Sequence, residues 1–354
     1  MSSFIDKRLS SLKSYIPGEQ PEPGKFIKLN TNEFPYPAAL NVTEAVSLSV
    51  MSMNLYSDLN CSKLKAAFEK VFGFGGDNVV FTNGSDEALY LCFLAFCGKE
   101  CGAAFADITY GFYSVYADLC CIEKKIIPLD NDFKIIPEDY FHAKNTIFIA
   151  NPNAPTGRVL SVGEIESIVI NNPDNIVVID EAYADFSGVT CAELVNKYNN
   201  VIVIGTFSKS RGMAGARLGY IITSKALADD IQKVKFSINP YNVNSLTQSA
   251  GEAVLESDDY YKDCVMEICK TRDSFTKELR NNGFEVIDSY TNFVFAKHSE
   301  YSGKYLSDEL RKRNILIRHF DSKRISEYIR ITIGTPEQMD IVNNALEEII
   351  GGQL

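Results

Sequence analysis

A lysine that could react with an aldehyde follows a short apolar run near the middle of the chain. Lys209 lies between two serines in the segment Thr206–Tyr220, which also contains several glycines and Arg217. A lysine held in a pocket beside other cations has a lowered pKa, so its neutral amine can form a Schiff base. Thr206, Ser208 and Arg217 supply the donors that a phosphate group needs. A solvated loop would explain Lys209 alone, but not the whole segment.

A second candidate phosphate site lies where a predicted strand meets a predicted helix. The strand is followed by Gly84, Ser85 and Asp86 and then by a helical pattern. The free amide groups and the positive dipole end of a helix attract anions, so this junction is suited to a phosphate. Ser85 and Asp86 could instead serve only as caps of the helix.

Two further segments place candidate groups at strand ends. Asp180 ends the apolar run Asn175–Asp180, which is expected to be buried, where an unpaired carboxylate is costly. We therefore expect it to face a cationic partner, although a helix cap or an ordinary ion pair would also explain it. The proline-containing loop Asn151–Gly157 follows the run Thr146–Ala150 and is expected to be rigid, but a plain turn would look the same.

Together these four segments indicate one cofactor. A Schiff-base lysine, a buried carboxylate and two phosphate-binding turns are the parts that pyridoxal phosphate requires. The carboxylate would keep the pyridine nitrogen protonated, which lets the ring withdraw electrons from a carbanion at the substrate Cα. No metal site is expected, because the three histidines are scattered and no C-x-x-C pair is present.

The elements that must position these groups follow an alternating pattern. Short β-branched or aromatic runs alternate with longer segments of helical periodicity, which is typical of an α/β domain with a mostly parallel sheet. The predicted strands cover residues 78–82, 146–150, 175–180, 201–206 and 219–223. The predicted helices cover residues 86–97, 162–171, 244–257 and 259–281. Open α/β sheets bind ligands where their strands end, which is where the four segments lie.

Beyond residue 284 the pattern becomes that of an α+β unit. Strand-like runs at 285–287, 292–297, 315–318 and 328–333 are accompanied by predicted helices at 302–313 and 336–350. We predict a large cofactor-binding domain over residues 44–260. The smaller α+β domain would cover residues 261–354 together with an extended amino-terminal arm, residues 1–43, which is rich in proline, glycine and asparagine.

These motifs resemble those of the fold-type I, class I/II aminotransferases, which depend on pyridoxal phosphate. The resemblance extends from Tyr15 to Ile350 and includes S-K-x-x-G-x-A-G-x-R-x-G-Y from Ser208, D-E-A-Y from Asp180 and N-P-x-x-P-T-G from Asn151. Within that group the chain is most similar to the histidinol-phosphate aminotransferases, through the segments Tyr15–Pro21, Lys28–Glu33, Pro240–Asn244 and Arg330–Thr335. The resemblance implies a homodimer that exchanges histidinol phosphate and 2-oxoglutarate for imidazole acetol phosphate and glutamate.

The resemblance also implies a role for each matching residue around the cofactor. Lys209 would form the Schiff base and move the proton, Asp180 would pair with the ring nitrogen, and Tyr183 would donate to the ring hydroxyl. Tyr110 would stack on the ring, unless it is an ordinary core tyrosine. The residues expected at the cofactor phosphate are Gly84, Ser85, Asp86, Thr206, Ser208 and Arg217, with Tyr56 reaching over from the neighbouring subunit.

On the substrate side the resemblance points to arginines. Arg330 would bind the carboxylate of the amino donor or acceptor and, helped by Arg318 and Tyr15, the phosphate of histidinol phosphate. A guanidinium fits either group. Arg318 could instead be a solvated strand end. Glu33 could approach the imidazole, but a solvated loop carboxylate would look the same.

One position departs clearly from the family pattern. Ala154 stands where the family usually has an asparagine that hydrogen-bonds the ring hydroxyl. Asn153 or Asn151 could substitute for it, or Tyr183 could act alone. We expect the loss of that donor to change the pKa of the lysine–cofactor Schiff base rather than to abolish binding.

Composition limits the class of partner and the location. The 354 residues contain 35 Lys+Arg and 46 Asp+Glu, a net charge of −11. This argues against nucleic-acid binding, which needs clustered cations, but it leaves room for a local basic pocket. No signal peptide and no apolar run of the roughly 20 residues that span a membrane are evident, so we expect a cytoplasmic protein without a membrane partner. The nine cysteines are expected to be reduced core residues.

Three other functions fit parts of the pattern. An aromatic or broad-specificity aminotransferase would share every cofactor residue and differ only around the substrate. A phosphothreonine-type decarboxylase shares the cofactor site, although the amino-terminal segments resemble the aminotransferase better. A transcription regulator with an effector domain of this fold would need a basic DNA-binding domain, for which we expect no room at either end.

Overall fold

The predicted alternation of strands and helices forms along residues 4–352, which the computed structural model describes. The strands are β1 (Ile27–Lys28), β2 (Val79–Asn83), β3 (Ala103–Ala106), β4 (Lys124–Ile127), β5 (Thr146–Ala150), β6 (Val177–Asp180), β7 (Val201–Thr206), β8 (Leu218–Thr223), β9 (Phe284–Ile287), β10 (Phe293–His298), β11 (Ile315–Leu316), β12 (Arg318–His319) and β13 (Tyr328–Thr332). The α-helices are α1 (Leu40–Ser49), α2 (Ser62–Phe72), α3 (Gly84–Phe96), α4 (Phe112–Leu119), α5 (Val162–Ile170), α6 (Ala184–Ser187), α7 (Lys225–Ile238), α8 (Ser245–Glu256), α9 (Asp258–Asn281), α10 (Gly303–Lys312) and α11 (Pro336–Gly351). Short 3-10 helices lie at Lys7–Leu9, Val50–Ser52, Gly76–Asn78, Pro137–Tyr140 and Ala192–Asn196.

The central sheet has seven strands in the order β2-β8-β7-β6-β5-β3-β4. From β7 to β4 all neighbours are parallel, whereas β8 is antiparallel to both β2 and β7. Every residue of β5, β6 and β7 is buried, as expected for strands that helices cover on both faces. The predicted α/β fold with a mostly parallel sheet is confirmed.

Helices pack on both faces of this sheet and fix the positions of its strands. Helices α2, α5 and α8 contribute Leu64, Ile165 and Val254 to the core on one face. Helices α3 and α7 contribute Leu89 and Ile231 to the core on the other face. A strand enclosed in this way cannot shift without losing buried apolar contacts on both sides.

The strand register aligns the ends that carry the predicted chemical groups. Ala150, Asp180 and Ile204 lie side by side on β5, β6 and β7. Since β2 is antiparallel to β8 and β8 to β7, β2 also ends at this edge, where α3 begins at Gly84. All four segments therefore leave the same edge of the sheet.

A second, antiparallel sheet has the strand order β12-β13-β10-β9. The amino-terminal arm joins this part of the molecule, because β1 pairs in parallel with β11. Helix α9 connects the two parts, since its Tyr261 belongs to a core of the central sheet and its Phe275 to the core of the second sheet. The division into domains at residues 260 and 261 thus falls within one continuous helix, and it remains a prediction.

Most predicted elements lie within a few residues of the observed ones, and the differences have local causes. Strand β3 is not predicted, because its sequence A-A-F-A lacks the β-branched residues typical of strands. The run at 315–318 forms two short strands, because Ile315–Leu316 pairs with the arm and Arg318–His319 pairs with β13.

Residues 4–352, the described part of the chain, contain neither a membrane-spanning helix nor a cluster of metal ligands. No helix within this part is long and apolar enough to cross a membrane. No group of three or more His, Cys, Asp or Glu side chains there could hold a metal ion. All nine cysteines are free thiols.

A close approach between β8 and the start of α3 generates a stability prediction. A Cβ on Gly219 would lie 2.4 Å from the carbonyl carbon of Gly84 and 2.5 Å from the amide nitrogen of Ser85. Both are backbone atoms, so Gly219→Ala should lower the free energy of unfolding by about 1–3 kcal/mol, measured by denaturant unfolding. Gly163→Ala in α5 is the control, because nothing lies within 4 Å of its Cβ position. Equal stability of the two variants would contradict the close approach.

Candidate active site

The four predicted segments meet in one pocket at the carboxyl edge of the central sheet. We call it the lysine pocket; it is lined by Ser85, Asp86, Tyr110, Ala150, Pro152, Ala154, Asp180, Ala182, Tyr183, Thr206, Ser208, Lys209 and Arg217. A cavity of about 430 Å³ opens beside it, contains Arg318 and Arg330, and is called the arginine cavity. Lys209 lines both, so one amine serves both spaces. A larger cavity, of about 650 Å³, lies elsewhere and is lined by none of the predicted site residues.

The amine of Lys209 is held at the junction of the two spaces. Its Nζ donates to the backbone oxygen of Thr31 at 3.0 Å. Burial, reinforced by the charges of Arg330 and Arg217, lowers its pKa from 10.5 to about 8, while Glu33 and Asp86 oppose this. The amine is therefore neutral in a large fraction of molecules slightly above neutral pH, which makes it a nucleophile.

The carboxylate of Asp180 is buried at the end of β6 and is only 5% exposed. The Tyr113 hydroxyl donates to its Oδ2 at 2.8 Å, and the Ala182 amide donates to its Oδ1 at 3.2 Å. Burial raises its pKa to about 6, against the effect of these two hydrogen bonds. No basic side chain of residues 4–352 forms an ion pair with it, so the cationic partner expected from the sequence is not a side chain of the described residues.

The start of α3 and the segment after β7 face each other across the pocket. Gly84 has a φ of +76°, and a Cβ there would lie 2.5 Å from Nη2 of Arg217. Glycine therefore lets the guanidinium lie against the first turn of α3. Thr206 Oγ1 donates to Ser208 Oγ at 3.0 Å, which places two hydroxyls beside this guanidinium in the pocket lining. Helix amides, hydroxyls and a guanidinium together are suited to a phosphate.

Asp86 supports this cradle rather than adding a donor to it. Its Oδ2 accepts from Arg217 Nη2 at 2.8 Å, and its Oδ1 accepts from the Tyr110 hydroxyl at 2.7 Å. The carboxylate thus fixes both a phosphate-binding cation and the aromatic ring predicted to stack on the cofactor. Tyr110 also packs edge-on against Tyr113, which links the ring to the partner of Asp180.

Tyr183 lines the pocket near Ala154, and its hydroxyl has a partner that the sequence analysis does not identify. Asn32 Nδ2 donates to the Tyr183 oxygen at 2.8 Å, and Thr332 Oγ1 donates to Asn32 Oδ1 at 3.1 Å. Because the Tyr183 oxygen accepts from Asn32, its own proton stays available for an acceptor in the pocket. Asn32 lies in a segment that carries the family resemblance, so the sequence contains a signal for its role in the site. No such signal marks Tyr113.

The two asparagines proposed to compensate for Ala154 have other partners. Asn153 Nδ2 donates to Ile108 O and Thr156 Oγ1, and its Oδ1 accepts from Thr109. Asn151 exchanges two hydrogen bonds with the backbone of Leu160. Both side chains hold the loop after β5 in shape, and the structure does not bring them into the lysine pocket.

The arginine cavity contains three of the predicted substrate residues. Tyr15 lines it and stacks on Phe112 with ring centroids 4.2 Å apart. Arg330 Nη2 donates to the backbone oxygen of Asn30 at 3.0 Å, and Arg318 Nη2 donates to that of Ile16 at 3.4 Å. Neither guanidinium forms an ion pair with a carboxylate of the described residues, so both are available to an anionic ligand.

Two other predicted residues do not line these spaces. Glu33 forms an ion pair with Lys28 and lines neither the lysine pocket nor the arginine cavity. Tyr56 stacks on Tyr241 with ring centroids 4.3 Å apart and is 82% exposed. The structure of one chain thus leaves Tyr56 outside its own pocket, facing outward.

Comparison with known proteins adds independent findings. The model of the family "aminotransferase class I and II" matches residues 24–346. The chain is 42% identical to a histidinol-phosphate aminotransferase of Brachyspira hyodysenteriae, over 99% of both chains. It is 43% identical to one of Marinomonas sp., over 99% of this chain and all of the other. Its fold matches the crystal structure of the Sinorhizobium meliloti histidinol-phosphate aminotransferase in complex with pyridoxal-5'-phosphate, with a TM-score of 0.88, 23% identity and coverage of 100% and 99%.

The lowered pKa of Lys209 gives a prediction for the cofactor-free protein. The rate of trace reductive methylation of Lys209 is measured by mass spectrometry at a series of pH values. Because only the neutral amine reacts, this rate should reach half of its maximum, the midpoint, near pH 8 rather than near 10.5. Arg330→Gln removes a positive charge that lowers this pKa, so it should move the midpoint upward. Arg280→Gln, which removes a cation paired with Asp288, is the control and should leave it unchanged. A wild-type midpoint above pH 10 would contradict the electrostatics described here.

Proposed function

The chain belongs to the class I and II aminotransferases, and we propose that it uses pyridoxal phosphate to transfer the amino group of histidinol phosphate to 2-oxoglutarate. The observation that carries this proposal is that one amine, Lys209, lines both a pocket with a phosphate cradle and a cavity with two unpaired arginines. The full-length relatives named as histidinol-phosphate aminotransferases support the substrate.

The lysine pocket fits the cofactor at three places. Lys209 supplies the amine for its aldehyde, and the first turn of α3 with Arg217 supplies donors for its phosphate. Asp180, a buried carboxylate without a cation, is suited to a protonated ring nitrogen. When bound, pyridoxal phosphate supplies a ring that stabilises negative charge at the substrate Cα.

The residues around the pocket orient these groups before any reaction. Tyr113 and Ala182 donate to the two oxygens of Asp180 and hold the carboxylate in one orientation. The Tyr183 hydroxyl, whose oxygen accepts from Asn32, directs its own proton toward the pocket. Lys209 Nζ, neutral above about pH 8, would accept the proton from the substrate Cα and donate it to the carbon that carried the aldehyde oxygen of the cofactor.

The arginine cavity is suited to both substrates of a two-stage transfer. Arg330 and Arg318 can bind either a carboxylate or a phosphate, because each guanidinium presents paired donors. Tyr15 adds a hydroxyl from the amino-terminal arm. Because neither arginine is paired with a carboxylate of the described residues, the same cavity can accept first a phosphorylated amine and then a dicarboxylic oxo acid.

We further propose that the active form is a homodimer located in the cytoplasm. The segment that contains α1 and the following loop exposes a row of apolar side chains, namely Leu40, Leu48, Met51, Met53, Leu55 and Tyr56. An exposed apolar surface of this kind marks an interaction site. A second copy bound there would bring Tyr56 toward the neighbouring phosphate cradle. The nine free cysteines are consistent with a reducing compartment.

The substrate proposal is tested by steady-state turnover with 2-oxoglutarate and each of three amino donors. Hydrogen bonds to a charged group contribute about 1.5–3 kcal/mol each, so kcat/KM for histidinol phosphate should exceed that for phenylalanine and tyrosine by at least about tenfold. Lys209→Ala is the control, and it should lose both turnover and the visible absorbance of a lysine-bound cofactor. A preference for the aromatic amino acids, or release of carbon dioxide without an oxo acid, would overturn the assignment.

The role of Tyr56 is tested in mixed dimers. Tyr56→Phe should weaken cofactor binding by about tenfold or more if its hydroxyl donates to the phosphate of the neighbouring site. A heterodimer of one Tyr56→Phe and one Lys209→Ala subunit contains only one lysine that can give the visible absorbance. If Tyr56 acts across the interface, that site binds the cofactor with wild-type affinity. If Tyr56 acts within its own chain, the affinity stays reduced, and light scattering of a monomer would also contradict the proposal.

A further inference from the structure

Two arginines of the arginine cavity lie directly opposite each other without a carboxylate between them. Arg318 on β12 and Arg330 on β13 are register partners in an antiparallel pair. Like charges in that position repel each other. Burial lowers the pKa of Arg330, and the charge of Arg318 lowers it further. The Tyr183 and Tyr15 hydroxyls oppose this lowering, but no carboxylate of the described residues forms an ion pair with either arginine, so an interaction other than an ion pair must hold the two cations together.

The aromatic ring of Phe320 provides that interaction. The guanidinium carbon of Arg318 lies 5.7 Å from the ring centroid, and that of Arg330 lies 5.6 Å from it. Both distances are within the range of a cation–π interaction. Phe320 lines the arginine cavity and packs edge-on against Phe295, which fixes its ring.

The two arginines depend on this ring to different degrees. Arg330 has a second ring, Phe293, at 5.2 Å and a 3.0 Å hydrogen bond to Asn30. Arg318 has no other ring within this range among the described residues, and its hydrogen bond to Ile16 is long, at 3.4 Å. Loss of the Phe320 ring would therefore release Arg318 more than Arg330.

The anion-binding atoms also remain available. The buried Nε of Arg330 has no hydrogen-bond partner among the described residues. An aromatic ring offsets positive charge without occupying the N–H donors, whereas a carboxylate would accept from them. A doubly charged group can accept from both guanidiniums at once, but a single carboxylate is satisfied by one of them.

We propose that Phe320 is a positioning residue that holds Arg318 beside Arg330 and thereby sets the preference of the cavity for a phosphate monoester over a single carboxylate. This inference rests on the proposed function for the identity of the substrate. Beyond that function, it assigns to Phe320 the role of holding two arginines close enough together to bind one dianion.

The test compares Phe320→Leu, which keeps apolar volume but removes the ring, with Phe320→Tyr, which keeps the ring. In the holoenzyme, where the cofactor occupies the phosphate cradle, the inhibition constants of inorganic phosphate and acetate are measured with any amino donor that sustains turnover. Phe320→Leu should weaken phosphate by about fivefold to thirtyfold and acetate by less than about threefold. Phe320→Tyr should remain within about threefold of wild type for both anions. The melting temperature and cofactor absorbance of each variant establish that it is folded and loaded.

Kinetics with histidinol phosphate separate positioning from a general structural role. Phe320→Leu should raise KM for histidinol phosphate by the same factor as the phosphate inhibition constant and leave kcat nearly unchanged, because Phe320 lines the arginine cavity but not the lysine pocket. Equal weakening of phosphate and acetate, no weakening of phosphate, or a Tyr variant as defective as the Leu variant would overturn the inference.

The outcomes also distinguish this inference from the proposed function. If the wild type turns over histidinol phosphate but phosphate inhibition does not depend on Phe320, the inference fails and the function stands. If the wild type does not use histidinol phosphate but phosphate inhibition depends on Phe320, the proposed substrate fails and the positioning role stands.

Discussion

The carboxylate of Asp180 is the group on which the arrangement of the lysine pocket depends. It ends a strand in which every residue is buried, and an isolated charge in such a place raises the free energy of the folded protein. The chain gives it two hydrogen-bond donors, Tyr113 and Ala182, but no cation. Tyr113 can reach it only because α4 packs on the face of the sheet that carries this core. The helices on that face thus hold one carboxylate ready for a positively charged ligand atom.

In the arginine cavity the charges that the protein orients without a counterion are positive. Arg330 and Arg318 have backbone carbonyls and an aromatic ring around them, which stabilise cations without neutralising them. The whole chain has a net charge of −11 and is rich in carboxylates that could have paired with them. Asp180, Arg318 and Arg330 are therefore charges that the protein orients and leaves without a counterion, and each is suited to one oppositely charged group of a ligand.

The extent to which the sequence predicts this structure depends on whether a signal is local. Strands β5 and β7 have the predicted bounds, because they are short β-branched runs in which both faces are apolar. Asp180 ends β6, Lys209 follows β7 and Arg217 immediately precedes β8. Because β6 is parallel to β7 and β8 is antiparallel to β7, all three lie at one edge of the sheet. Tyr113 is not predicted as a site residue, because its importance depends on a partner 67 residues away. Asn32 lies in a segment that carries the family resemblance, but no local pattern points to its partner, 151 residues away. The role of Asn153 at the cofactor stays a prediction, while its side chain holds the loop after β5, and no local pattern distinguishes these two roles.

The pocket and the cavity are also coupled through Lys209. The charge of Arg330 is one of the causes that lower the pKa of this amine, after burial. An anion that binds Arg330 offsets that charge, so it removes part of the lowering and makes the amine a stronger base. The lysine is thus a stronger base when an anion occupies the cavity, whereas an empty cavity leaves a larger fraction of the amine neutral. Arg330 therefore does more than bind the substrate. Its charge also links occupancy of the cavity to the basicity of the Lys209 amine, which moves the proton.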